Sequence, residues 1–291
     1  MPHPPVVLVV GSLHHDIMVE TDHLPRVDET AVGRRWYPKF GGKGGNQAIA
    51  AGAAGARARM FGAVGKDGFG AFLLDALDKG QVDRRFVREL AGVGSGMSAA
   101  IQNSAGQYAA TIVSGANLHL DPTSLNDPAL WADVRVLVLQ NEIPAEINLA
   151  AARAAAARGI MVILNAAPAR ALPDDLCAMI DHLVVNAVEA EMLGTAPVTD
   201  LASAFSAARH LAAQYRGVIV TAGASGFAVC ASGIDPVAMP ARKVQVSSTH
   251  GAGDCFTGTL AASLALGQPL VQACRAASDA AARHVSGHTA V

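Results

Sequence analysis

The feature that most constrains the fold is a rhythm of short apolar runs. Val6–Val10, 134–139, 160–164, 183–185 and 218–220 are apolar without strict polar–apolar alternation. A strand with one wet face alternates, whereas a strand covered on both faces does not. Between the runs lie Ala-rich stretches at 145–158 and 202–214, whose composition favours helix. Strands alternating with helices build a parallel sheet joined by right-handed crossovers. The predicted class is therefore α/β, with a mostly parallel central sheet flanked by helices on both faces.

Two regions break this rhythm. Residues 14–40 hold polar, Pro- and Gly-punctuated short strands, and 97–113 read as a hairpin turning through Ser104-Ala105-Gly106. These pieces are expected to pair as a small separate sheet, a lid or flap; the alternative is that they are edge strands of the main sheet. No long linker, low-complexity tract or internal repeat divides the chain, so 1–291 reads as a single domain with these two lid segments.

The balance of residues narrows the function. Half the chain is hydrophobic (51%), enough for a sizeable core, yet aromatics are only 4%, so that core must be Ala, Val, Leu and Ile. A net charge of −2 with scattered Lys and Arg leaves no basic stripe for nucleic acid. Cys177, Cys230, Cys255 and Cys274 form no C-x-x-C pair and, with the histidines, no zinc spacing. The N-terminus lacks a basic stretch followed by an apolar one, and no segment reaches a membrane-spanning apolar length. A cytoplasmic protein without membrane or nucleic-acid partners is expected.

Six polar or Gly-rich elements carry the candidate chemistry. The most informative is Ser248-Thr249-His250-Gly251-Ala252-Gly253-Asp254, which runs into an apolar helical stretch at 256–266. Backbone N–H groups and the helix dipole at such a start suit a phosphate or a developing anion. Asp254 falls in the first turn, where the dipole favours the carboxylate that could accept a hydroxyl proton during phosphoryl transfer. Its plainer reading is a helix N-terminal acid. The second element is Gly41-Gly42-Lys43-Gly44-Gly45-Asn46-Gln47-Ala48, in which glycines permit close approach to a ligand and Lys43 and Asn46 supply donors and an acceptor for a hydroxyl-rich molecule. It is not a Walker A loop, because Gly44 follows Lys43. No dinucleotide fingerprint follows the first run, which disfavours an oxidoreductase.

The remaining elements follow apolar runs. His14 and Asp16 lie beyond the first, spaced so that both can face one way, while His15 reads as an ordinary polar residue. Glu142 follows the second run. Asn186 and Glu189 share a helical face after the fourth; they suit hydrated magnesium or, more plainly, a cap with its acid. Thr221, Gly223 and Gly226 form another Gly-rich turn. Ligands of open α/β sheets bind beyond the carboxyl ends of strands, and this convergence argues for an enzyme.

The segments 41–48 and 249–258 resemble the two signatures of the ribokinase-like carbohydrate kinases, and the likeness extends through Gly115-Ala116-Asn117, 139–144, 165–168 and 186–193. The resemblance implies a large central sheet, a small β lid that often forms a dimer interface, and ATP-dependent phosphorylation of a primary hydroxyl on ribose or a related sugar. It assigns His14, Asp16, Gly42, Lys43, Asn46 and Glu142 to the sugar, Asp254 to the catalytic base, and Gly251, Ala252 and Gly253 to the anion hole. Asn186, Thr221, Gly223 and Gly226 are assigned to the nucleotide, and Glu189 to the orientation of hydrated Mg2+.

Three departures from the family pattern matter. His14 stands where Asn is usual, which opens the acceptor to a nucleoside, a ketohexose or a modified sugar. Ser248 stands where an Asp usually helps bind a monovalent cation, so potassium is expected to change activity little. The chain stops at Val291, which implies a short or altered C-terminal segment, with Ser278 or Asp279 in place of an Asn near adenine. A catalytically silent sugar-binding or regulatory protein is the rival from another class.

Overall fold

The computed structural model describes residues 4–287. In chain order the elements are β1 (Val6–Val10), β2 (His14–Thr21), β3 (Gly33–Gly41), α1 (Lys43–Ala53), β4 (Arg57–Gly65), α2 (Gly68–Lys79), β5 (Asp83–Leu90), β6 (Met97–Asn103) and β7 (Tyr108–Val113). After short 3₁₀ turns come β8 (Val134–Gln140), α3 (Ala145–Ala156), β9 (Met161–Asn165), α4 (Asp174–Cys177), β10 (His182–Asn186), α5 (Ala187–Met192) and α6 (Leu201–Leu211). The chain closes with β11 (Gly217–Thr221), β12 (Phe227–Ala231), β13 (Val237–Met239), α7 (Ala252–Ala265) and α8 (Leu270–Val285).

A nine-stranded sheet runs in the order β13-β12-β11-β10-β9-β8-β1-β4-β5. It is parallel from β11 to β5, and β12 and β13 add an antiparallel edge. Side chains alternate across a strand, and β1 displays this directly. Val7 and Val9 enter a core with Leu73 of α2, Leu260 of α7 and Ala273 of α8. Val6, Leu8 and Val10 enter the opposite core with Ile147 of α3 and Ala204 and Leu211 of α6. Both faces are covered, which is why the apolar runs do not alternate in polarity.

The irregular segments 14–40 and 97–113 pair with each other and not with the main sheet. They form a four-stranded sheet, β3-β2-β6-β7, in which β2 and β6 are parallel and the other two pairs antiparallel. Every residue of β7 is exposed, and Trp36, Tyr108 and Ile112 leave large apolar surface uncovered.

Two placements were not evident in the sequence. The glycine-rich stretch is itself partly helical: α1 begins at Lys43, so Gly44 and Gly45 lie inside the helix. Strands β4 and β5 carry Arg57, Arg59 and several exposed charges, and their composition concealed them. The expectation of a short or altered C-terminal segment, drawn from the end at Val291, falls on residues outside those described. Among those residues, no helix is long and apolar enough to cross a membrane.

Candidate active site

The site is assembled by a close approach of α1 and α7. A Cβ on Gly258 of α7 would lie 2.4 Å from the Gln47 carbonyl oxygen and 2.9 Å from the Ala51 amide, so only glycine allows this contact. At the other side of α1, Gly42 adopts φ +86°, and a Cβ there would lie 2.7 Å from the His14 amide. The start of α1 is thereby wedged between α7 and the segment leaving β1.

This wedge brings Asn46 and Gln47 onto Asp254. Gln47 donates from Nε2 to Asp254 Oδ1 at 2.9 Å and to Asn165 Oδ1 at 3.1 Å, while Asn46 Nδ2 donates to Asp254 Oδ2 at 3.2 Å. Asp254 is only 8% exposed. The helix dipole is not the one influence on its charge. Burial acts most strongly and raises its pKa above the usual aspartate value, opposed by the Lys43 charge and the amides of Gln47 and Asn46, with Glu142 pushing it further up.

Gly251 caps α7 in the left-handed region, at φ 78°. Ala252 N donates to Thr249 O at 3.3 Å and Cys255 N to Gly251 O at 2.9 Å. Among the described residues, the intervening amides of Gly253 and Asp254 have no acceptor. Unpaired N–H groups at the start of a 14-residue helix are donors of the kind that suits an anion.

Two cavities meet here. The smaller, about 160 Å³, is lined by Lys43, Asn165, Glu189, Gly251, Gly253 and Asp254, among others. The larger, about 690 Å³, includes Gly223, Gly226, Phe227, Val246, Ala252 and Ser278 in its wall, but not Asp279. Asn186, Thr221 and Gly253 line both. Asn186 and Glu189 realise the reciprocal cap at the start of α5, with Glu189 N donating to Asn186 Oδ1 at 2.8 Å and Asn186 N to Glu189 Oε2 at 2.9 Å. Burial raises the Glu189 pKa, opposed by the Asn186 amide and Lys43 and reinforced by Asp254. The capping role therefore coexists with a place in the cavity wall.

On the small-sheet side, Asp16 accepts from Ser98 Oγ at 2.5 Å. Glu142 Oε2 accepts from Ser12 Oγ at 2.5 Å and the Lys43 amide at 2.9 Å. His14 is buried with Nδ1 3.8 Å from Glu142, and its Nε2 has no hydrogen-bond partner among the described residues. His15 stacks on Phe69 with ring centroids 4.1 Å apart, a packing role. Ser12, Gln47, Ser98 and Asn165 were not singled out in the sequence; each is a polar residue within or beside a flagged motif, and only folding gives it a partner.

Strand-end loops, a glycine-wedged helix and an anion site beside a buried carboxylate are features of a kinase that phosphorylates small hydroxyl compounds. The chain belongs to the pfkB family of carbohydrate kinases, whose profile, pfkB family carbohydrate kinase, matches residues 5–290. Ribokinase of Mus musculus is 35% identical over 264 residues, covering 89% of this chain and 81% of that protein. Ribokinase of Haemophilus influenzae is 30% identical over 280 residues, covering 96% and 91%. The structure of Arabidopsis thaliana ribokinase complexed with ribose and ATP superposes with a TM-score of 0.89 at 30% identity, covering 98% of this chain and 93% of that one.

Proposed function

We propose that this chain transfers the γ-phosphate of ATP to a primary hydroxyl of ribose or a closely related sugar. The observation that carries the reading is Asp254, held by two side-chain amides beside the unpaired amides of Gly253 and Asp254. In this reading Asp254 accepts the hydroxyl proton as the oxygen attacks phosphorus. The unpaired amides of Gly253 and Asp254, in the turn opened by Gly251 and Ala252, stabilise charge on the phosphoryl oxygens. Asp16, Gly42, Lys43, Asn46 and Glu142, with His14, orient the sugar.

The large, mainly apolar cavity suits a nucleobase, with Asn186, Thr221, Gly223 and Gly226 on the phosphate side. The donor set also suits Mg2+. Glu189 keeps one carboxylate oxygen free of the cap bond, and among the described residues no group of three or more His, Cys, Asp and Glu could cage a metal, so phosphates and water would complete the coordination. Bound there, Mg2+ would neutralise phosphate charge. The small sheet acts as a lid that excludes water. The exposed Trp36, Tyr108 and Ile112 support pairing of two lids in a homodimer, and a cytoplasmic location fits the substrates.

ADP release from MgATP across pentoses, hexoses and nucleosides tests the reading. Ribose-dependent turnover is expected. Turnover restricted to another acceptor would keep the mechanism and point to His14 as the determinant. Silence across the panel would overturn the kinase reading in favour of a binding role.

A further inference from the structure

The anion-site loop is fastened to the far end of the last helix, and one side chain supplies part of that fastening. His284, in the final turn of α8, has Nε2 2.9 Å from the carbonyl oxygen of His250. A carbonyl only accepts, so Nε2 carries the proton and donates. His250 immediately precedes Gly251, the left-handed residue that opens α7, and a Cβ at Gly251 would lie 3.1 Å from the same Nε2. The imidazole therefore both holds and abuts the peptide from which the anion-site amides are launched.

The surroundings make this contact consequential. Residues 247–250 are exposed, with no packed apolar side chain to hold them. Their other anchors to α8 converge on one atom: the amides of Ser247 and Ser248 and the Ser247 hydroxyl all donate to Val285 O, at 2.7, 3.3 and 2.9 Å. That atom fixes the start of the segment, and His284 fixes its end. Without His284, the His250 carbonyl would have no hydrogen-bond partner among the described residues; the bonds left around it are His250 N to Ser248 Oγ and Ala252 N to Thr249 O, both at 3.3 Å, and Cys255 N to Gly251 O at 2.9 Å.

We infer that His284 is a positioning residue for phosphoryl transfer, holding the His250 carbonyl so that the unpaired amides of Gly253 and Asp254 face the transferred group. Displacement of such donors by about 1 Å costs on the order of 100-fold in rate. The inference rests on the kinase reading for its rate consequence but not for its structural one.

The test compares wild type with His284→Ala and His284→Gln. Glutamine retains an N–H donor at similar reach. With ribose and MgATP, His284→Ala is expected to lower kcat on the order of 10- to 100-fold while both KM values stay within about threefold, and His284→Gln to recover most of the loss. Amide hydrogen exchange of the 247–256 segment in the unliganded proteins gives a readout independent of turnover. Exchange should be faster in His284→Ala and return toward wild type in His284→Gln. Unchanged exchange in His284→Ala overturns the inference, as does equal impairment of both variants, which would mean packing alone. If wild type turns over no acceptor, the kinase reading fails while the exchange data still decide the tether.

Discussion

Gln47 Nε2 donates to Asp254 Oδ1 across 2.9 Å and to Asn165 Oδ1 across 3.1 Å, so one buried carboxamide ties the carboxylate at the start of α7 to the end of β9. Gln47 is fully buried, and its position is set by the α1–α7 contact that Gly258 permits. Local geometry at Asp254 is therefore a property of helix packing.

A pH dependence follows from this bond. Burial raises the Asp254 pKa, and the carboxylate must be ionised to take a proton, so the acid limb of kcat/KM should lie above the ordinary aspartate range. Lys43 and Gln47 oppose the rise. Gln47→Leu should move that limb to higher pH and lower the rate at neutral pH by about tenfold or more. A pH–rate profile with the limb unmoved, or moved to lower pH, contradicts this role.

Gly42→Ala should destabilise the fold and weaken sugar binding together. The residue sits at φ +86°, and a Cβ would lie 2.7–2.8 Å from backbone atoms of Ser12, Leu13 and His14. The strain is about 2 kcal/mol, a fall in Tm of about 4–8 °C. Thermal melts and the acceptor KM check it; an unchanged Tm contradicts the wedge geometry.

Potassium should have little effect on turnover. Ser248 offers a hydroxyl where a carboxylate would attract a cation, and its Oγ lies 3.3 Å from the His250 amide as an acceptor. Replacing a large organic cation with potassium at constant ionic strength should change kcat less than about twofold, since surface screening is then matched. A potassium-specific rise of tenfold would contradict the expectation.

Arg59 should matter to stability without touching the chemistry. It is 2% exposed, donates from Nε to Asp83 at 2.9 Å and from one terminal nitrogen to the carbonyls of Ala129, Leu130 and Ala132. Arg59→Met strands those acceptors, at about 3 kcal/mol. Denaturant unfolding should show that loss, with kcat per folded molecule retained; wild-type stability would contradict it.

The sequence made the sheet legible where a strand buried on both faces is also an apolar run, as at β1 and in 136–139 of β8. It hid β4, where Arg59 interrupts the apolar run and is tolerated because backbone carbonyls receive it. The motif containing Lys43 and Asn46 was visible, but its helical start was not, because Gly44 and Gly45 are poor helix formers in isolation and tertiary contact overrides that preference. Glu142 and Asp254 were found as acids in suggestive places. Their partners Ser12 and Gln47 were not, because those contacts span 130 and 207 residues of chain and no local pattern encodes them.

The most direct test of the central claim is turnover by Asp254→Asn with MgATP and ribose, read as sugar phosphate and ADP, beside ribose binding to the same variant. The substitution keeps the side-chain volume and removes the proton acceptor. Turnover should fall by about 1,000-fold or more while ribose still binds. Turnover within about tenfold of wild type would contradict the assignment of Asp254 as the catalytic base.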